Sequence, residues 1–501
     1  MHSSGPSDQP GRVSRRGFLG LAAAGALTVG GTTLLAACSQ PATTPAGGGA
    51  PAAPPAAAPT AKPAAPAAAA PTAPVAAAGG PTPVPTPEVA QIGQGAKTTV
   101  FWHGLGGADG KTMQEMLTQY AAAKGDTAVR SETYNWDVFY QKLPTSVLAK
   151  TPPDLAIMHD WGIRQFATQG LIQPADDNFY KSGLVSKEDF NPNLINTITI
   201  DGKTMAVPFD NHGWGLYYNT KLITAAGLDP NNLPKNGDEF LKWAFKLTVD
   251  ENGKHPDESG FNPDKVKVWA IHPSWIRFTQ PSTMWMFGGG ILSDDGKKSM
   301  LDSANTVAAV QYWWDLMYKH HVAPPPPPPG GTGDNDLMKT NSLAFEWDGS
   351  WNLNFFKDNP DVAANVKAAR LNSLAPDGKQ VAKMASHMLV VPTGVSGDGL
   401  ARAKDLIKWL SDNGKIWANS GQVPARLTVQ KDPSVQEIWS VKAFAEEFTS
   451  VGKTDVPHVA ASEIQTTWEE AVGGALANTT PVKQALMQGS KALQAIIDRS
   501  G

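Results

Sequence analysis

Cysteine occurs once in the 501 residues, at Cys38. That single thiol excludes a disulfide within the chain and any zinc or iron–sulfur site built from several thiolates. An excess of basic charge is also missing. The 42 Lys and Arg face 46 Asp and Glu, a formal net charge of −4, which is unsuited to neutralising a nucleic-acid backbone. Catalytic signatures are scarce as well. No His-Glu-x-x-His or Gly-x-Ser-x-Gly occurs, and His103-Gly104-Leu105-Gly106-Gly107 lacks the Lys-Ser/Thr of a phosphate-binding loop. His320 and His321 are adjacent on a predicted helix and cannot face one metal together. The chain is therefore expected to carry no cofactor, no metal and no catalytic residues.

Phe, Tyr and Trp are absent from Leu19 to Val100, so this stretch cannot build a core. Its first part begins with Arg15-Arg16-Gly17-Phe18-Leu19, continues through an uncharged run to Ala37, and ends in Leu35-Ala36-Ala37-Cys38. A cationic start, an apolar middle and small residues before a boundary form an export signal. The paired arginines resemble a twin-arginine signal, and Leu-Ala-Ala-Cys resembles a lipobox in which Cys38 is acylated. An uncleaved anchor is the competing reading, because 21 uncharged residues from Gly17 to Ala37 could span a bilayer. From Pro41 to Ala90 there are 14 Pro and 20 Ala, a composition that favours extended geometry over packing. Residues 1–37 are thus expected to be a signal and 38–96 a tether, placing the protein outside the cytoplasm on a lipid.

All 16 tryptophans lie at or beyond Trp102. The body from Lys97 onward is too long for one core, since single cores stop growing near roughly 250–300 residues. Its opening reads strand (98–102), helix (113–120), strand (127–133), helix (137–150) and strand (154–158). That alternation predicts an α/β fold with a parallel sheet wrapped by helices. Ligands of such sheets sit beyond the carboxyl ends of the strands. Further strands are predicted at 204–208, 266–271, 343–347 and 386–392. Helices are predicted at 303–321, 401–419, 434–448, 462–477 and 481–499. The proline run at 324–329 reads as a surface loop.

Several short motifs occur in a telling order. They include Phe101-Trp102-His103-Gly104 with Asp109-Gly110-Lys111, Pro153-Asp154-Leu155, and the stretch from Val207-Pro208 to Tyr218-Asn219. Gly288-Gly289-Gly290, Asp348-Gly349-Ser350-Trp351 and Gln422-Val423-Pro424-Ala425-Arg426 follow. Together they resemble the extracellular solute-binding proteins of the sugar-transport type over nearly all of the chain after Lys97. The resemblance implies a two-lobed periplasmic-binding-protein-like fold (type II) with one ligand in the cleft, delivered to an ABC-type permease. It also implies lobe limits: 97–208 with 373–420, and 209–372 with 421–501.

A sugar presents hydroxyls at its rim and C–H patches on its ring faces, so its site needs aromatic planes and planar hydrogen-bonding groups. The candidates are Trp102, His103, Asp160, Trp161, Asn211, His212, Trp214, Trp285, Trp351 and Arg426. Asp160 either contacts ligand or caps the helix that starts near Trp161, and Trp285 either contacts ligand or packs. The resemblance places Trp351 and Arg426 at the ligand; Arg426 could instead pair with a surface carboxylate. Trp243, Trp313, Trp314, Trp409, Trp417 and Trp439 sit in helical patterns and are expected in cores.

The expected function is capture of an uncharged extracellular carbohydrate by hinge closure, without catalysis, by a monomer that binds no nucleic acid. A glycerol 3-phosphate or polyamine binder on the same fold is the alternative. An anchored glycoside hydrolase is the rival from another class, and it requires two carboxylates flanking the bond.

Overall fold

The computed structural model describes residues 86–326 and 333–500. The export signal, Cys38, most of the tether and part of the proline run lie outside the described residues.

The first sheet is built from β1 (Glu88–Ile92), β2 (Lys97–His103), β3 (Thr127–Thr133) and β4 (Leu155–His159). Strands β2, β3 and β4 run parallel. Helices Gly107–Lys124 and Trp136–Leu148 make the connections, as the alternating pattern predicts. Helix Gly107–Lys124 turns Met113, Met116, Leu117 and Tyr120 inward, at i, i+3, i+4 and i+7. Strand β1 falls inside the stretch expected to be tether. It pairs antiparallel with β3 from Glu88↔Thr133 to Ile92↔Val129. The reason is local: prolines end at Pro87, so 88–92 keeps every amide and can close the open edge of β3.

After a small ladder of β5 (Thr199–Ile200) and β6 (Lys203–Thr204), β7 (Val207–Pro208) leads into β8 (Asp210–Asn219). Strand β8 is buried along all ten residues and is the spine of the second sheet. That sheet also contains β9 (Val249–Asp250), β10 (Val266–Ile271), β11 (Leu343–Gly349), β12 (Val366–Ala369) and β13 (Ala382–Ala385). The chain returns to the first sheet with β14 (His387–Val390), which pairs antiparallel with β4 and β7. It comes back to β8 as β15 (Val423–Pro424) and ends the second sheet with β16 (Gly452–Lys453) beside β13.

Each sheet has its own apolar core. One contains Phe101, Met116, Ile157 and Trp417, and the other Trp214, Phe240, Trp313 and Trp347. The chain therefore crosses between lobes at Phe209, at Ser386 and just before β15. The middle crossing departs from the expected limit at 373. Leu374, Ala375, Val381 and Ala382 fill the second core, and Met384 and Ala385 pair with Gly213 and His212 of β8. Among the helical tryptophans expected in cores, Trp313 and Trp417 are fully buried, whereas Trp439 is 40% exposed. No described helix is long and apolar enough to cross a membrane.

Candidate functional site

A cavity of about 480 Å³ opens where the crossovers meet. The first lobe contributes the turn after β2, from Gly104 to Asp109, together with Trp136, His159 and Trp161. All of these lie at or just beyond the carboxyl ends of parallel strands, the position expected of a ligand site on such a sheet. The second lobe contributes His212 of β8, the start of helix Ile276–Met286, Trp351 and residues of β13. The volume is within the ~300–1,000 Å³ typical of small-molecule sites.

Four indoles face this space: Trp136, Trp161, Trp275 and Trp351. Trp275 is 58% exposed, with φ of 38°, a left-handed conformation that costs a non-glycine residue energy. It meets Trp351 edge-on at 6.0 Å. Two of the indoles lie directly on glycines. A Cβ at Gly104 would overlap the ring of Trp136, and one at Gly349 would overlap that of Trp351. Gly349→Ala is expected to push Trp351 from its place at a cost of ~1–3 kcal/mol. The unliganded protein should then show a shifted tryptophan emission and a lower denaturation midpoint. An unchanged spectrum would mean that the ring is held by other contacts.

Polar groups are tied across the lobes. Ser350 Oγ donates to Gln422 Oε1 at 2.6 Å, and Gln422 Nε2 donates to Asp109 Oδ2 at 2.8 Å. Asp109 Oδ1 has no partner, and burial pushes the carboxyl up to about 7. Both cations of the lining are already neutralised. Arg277 donates to Glu469 through Nε and an Nη at 2.7 and 3.2 Å, and Lys383 Nζ lies 2.7 Å from Asp455. At the floor, Asp210 accepts from His212 Nδ1 at 3.0 Å and from His387 Nδ1 at 2.7 Å. Burial alone would raise the Asp210 carboxyl, but His387 and His212 hold it below its ordinary range. Burial pushes the His159 and His212 imidazoles down.

Of the sequence candidates, Trp161, His212 and Trp351 line the cavity. Trp102 packs in the first core against Tyr134, and Lys142 lies over both rings. His103 is buried against Ser131 Oγ at 2.8 Å, and burial pushes it down to about 3. The strand's last side chains face the core, and only the backbone turn beyond them reaches the cleft. Asp160 is buried and accepts the amide of Ser386, and burial pushes it up to about 6. Asn211 accepts from Ser386 Oγ at 2.9 Å, so both residues secure the middle crossing. Trp214 is fully buried behind Phe278, its Nε1 donating to Thr279 Oγ1. Trp285 lines a smaller adjoining pocket shared with Trp161. Arg426 departs most from expectation. Its guanidinium is paired with Asp189 at 2.7 Å and Asp412 at 2.8 Å, and Arg426 is not in the cavity lining.

Sequence reasoning places His159, at the carboxyl end of a predicted strand, near the site, but passes over Trp136, Trp275, Arg277, Lys383, His387 and Gln422. Trp136 and Trp275 each immediately precede or open a helix that follows a strand, and that position was the signal available. Nothing local marks His387 or Lys383.

Comparison with known proteins bears on this geometry. An ABC transporter solute binding protein from Thermotoga lettingae TMO bound with alpha-D-tagatose superposes with a TM-score of 0.68 at 22% identity, covering 80% of this chain and 100% of that one. Maltose-bound MalE3 of T. maritima gives 0.66 at 22%, with coverage of 80% and 100%. These likenesses show the fold, that of two-domain sugar-binding ABC solute-binding proteins. The sn-glycerol-3-phosphate-binding periplasmic protein of Escherichia coli (strain K12) is 26% identical over 160 residues, 31% of this chain and 36% of its own. A binding protein of Brucella abortus (strain 2308) is 27% identical over 195 residues, 38% of this chain and 43% of its own. The chain thus aligns with less than half the length of these curated relatives. The sequence profile of the bacterial extracellular solute-binding proteins matches residues 104–415, and with that match over more than half its length the chain belongs to this family.

Proposed function

We propose that the protein captures an uncharged carbohydrate in this cleft, by closure of the two lobes, and passes it to an ABC permease without transforming it. The observation that carries this is the combination of four indoles around the cavity with cations that are both paired. Indole faces cover the C–H patches of a sugar, while Asp109 Oδ1 and the imidazoles suit hydroxyls. A glycosidase needs two carboxylates flanking the bond. Asp109 is the one carboxylate among the described lining residues, and Asp160 and Asp348 do not line the cavity. A polyamine would need several carboxylates there as well.

Glycerol 3-phosphate is the second reading, favoured by the amide-rich turn at the start of helix Gly107–Lys124 and by the similarity to a binder of that ester. Against it, Asp109 places a carboxyl in the same first turn. Calorimetry with mono- and oligosaccharides and glycerol 3-phosphate over a tenfold range of salt separates the two. A neutral ligand should bind with little salt dependence, and a phosphate ester should weaken markedly. Salt-sensitive binding of glycerol 3-phosphate with no response to sugars would replace the carbohydrate assignment.

Trp351→Ala should weaken carbohydrate binding by ~1–3 kcal/mol and remove most of the fluorescence change on binding, with the fold intact. Unaltered affinity would assign Trp351 to the wall rather than the ligand. Anchoring is proposed through a lipid on Cys38. Cys38→Ser should move the exported protein from the membrane to the soluble extracytoplasmic fraction. Intact-mass measurement of an unmodified Cys38 thiol in membrane-associated protein would refute the anchor.

A further inference from the structure

Three histidines from distant parts of the sequence converge on the cavity: His159 at the end of β4, His212 in β8 and His387 at the start of β14. Each offers a nitrogen, and these atoms lie within 4.8 Å of one another. The ring centroids of His212 and His387 are 4.2 Å apart, and those of His159 and His387 are 5.0 Å apart.

The outward bonds of these rings decide which nitrogen is free. His212 and His387 both direct Nδ1 at the carboxylate of Asp210. An ionised carboxylate only accepts, so both Nδ1 atoms carry a proton, and the neutral form of each ring offers its lone pair at Nε2. His159 Nδ1 lies 2.7 Å from Tyr140 Oη, a hydroxyl able to accept or donate. That oxygen also accepts the His159 amide at 2.9 Å, and where its second lone pair accepts from Nδ1 the Nε2 of neutral His159 is a lone pair as well. A carboxylate or hydroxyl holding Nδ1 while Nε2 is left open is the outer-shell support that metal-bound imidazoles use, fixing tautomer and ring direction.

The geometry points to a binding site for a divalent transition-metal ion of the zinc class, held by His159, His212 and His387 with its fourth position open to the cavity. Three imidazoles suit zinc, cobalt, nickel or copper rather than magnesium or calcium. Tetrahedral bonds of roughly 2.1 Å set ligand nitrogens ~3.4 Å apart, so the rings would turn and draw together around the ion. His159 and His387 belong to the first lobe's sheet and His212 to the second's, so the ion would bridge the two lobes beside the crossovers. A water or a ligand oxygen would complete its coordination. This assignment does not depend on which solute the cleft accepts, and its test uses no carbohydrate.

The experiment is titration of the purified full chain, free of any polyhistidine tag and stripped by chelator, with zinc chloride and cobalt chloride. Uptake of one equivalent is expected, with the visible absorption of four-coordinate cobalt. His387→Ala and His159→Gln, each checked for native circular dichroism, should abolish the stoichiometric uptake. Asp210→Asn, checked in the same way, should lower affinity roughly 10–100-fold by loosening both imidazoles. The double variant His320→Ala, His321→Ala, at two half-buried positions outside the cavity lining, should bind as the unaltered chain does. Absence of stoichiometric uptake, or uptake retained in both His387→Ala and His159→Gln, would overturn the site.

Discussion

Asp210→Ala is expected to destabilise the protein by about 3–5 kcal/mol, as removal of one partner from a buried charged network does. Four donors converge on this fully buried carboxylate: His212 Nδ1, His387 Nδ1, the His387 amide and Trp417 Nε1. They come from both lobes. Asp210 and His212 begin the spine strand of the second sheet, while His387 and Trp417 belong to the first lobe. Truncation leaves these donors buried without an acceptor, and each such group costs ~1–3 kcal/mol. Because the residue joins strands on either side of two crossings, the loss should also loosen the lobes relative to each other. Urea unfolding followed by circular dichroism and by tryptophan fluorescence measures both effects. A variant within 1 kcal/mol of the unaltered protein would show that water replaces the carboxylate at little cost.

The same residues show what the sequence disclosed and what it concealed. Elements with local periodicity were legible in both lobes: Val266–Ile271 of the second sheet and the alternation from Lys97 to His159 in the first announce themselves through β-branched runs and helical spacing. The longest strand did not. Its sequence, Asp-Asn-His-Gly-Trp-Gly-Leu-Tyr-Tyr-Asn, has two glycines and few β-branched residues, and no strand is predicted there from the pattern. The glycines that weaken its pattern serve tertiary packing, since a Cβ at Gly215 would run into the ring of Phe444 and one at Gly213 into the backbone of Lys383 and Met384. The cleft was half legible for a related reason. Tryptophan at strand ends is a visible sign, and it found Trp161 and Trp351. Arg426 looked equally suitable, but its partners Asp189 and Asp412 are brought to it only by folding. The three cavity histidines meet through the crossovers, so no spacing in the chain could reveal them.

Glu447→Gln is expected to remove much of the loss of stability that the protein suffers between pH 4.5 and 8. Glu447 is fully buried on helix Trp439–Ser450. Its Oε1 accepts the amide of Leu371 at 2.7 Å, and its Oε2 has no partner. Burial pushes the carboxyl up to about 8 from its ordinary 4.5, against the opposing pull of the Leu371 amide and Arg370. Below pH 4.5 the group is protonated in both folded and unfolded chains and contributes no pH dependence. Between 4.5 and 8 the unfolded chain releases the proton while the folded chain keeps it, so stability falls as pH rises. Above 8 both forms are ionised, and the penalty is constant at ~4–5 kcal/mol. An amide in place of the carboxyl can still accept the Leu371 amide through its carbonyl and has no charge to bury. Unfolding free energies of both proteins at pH 5 and pH 9 give the comparison. Other buried acids, Asp109 among them, titrate in the same interval, but they are common to both proteins and cancel in the double difference. The unaltered protein should lose several kcal/mol more than Glu447→Gln over this range. An equal loss in the two would mean that Glu447 ionises in the native state without cost.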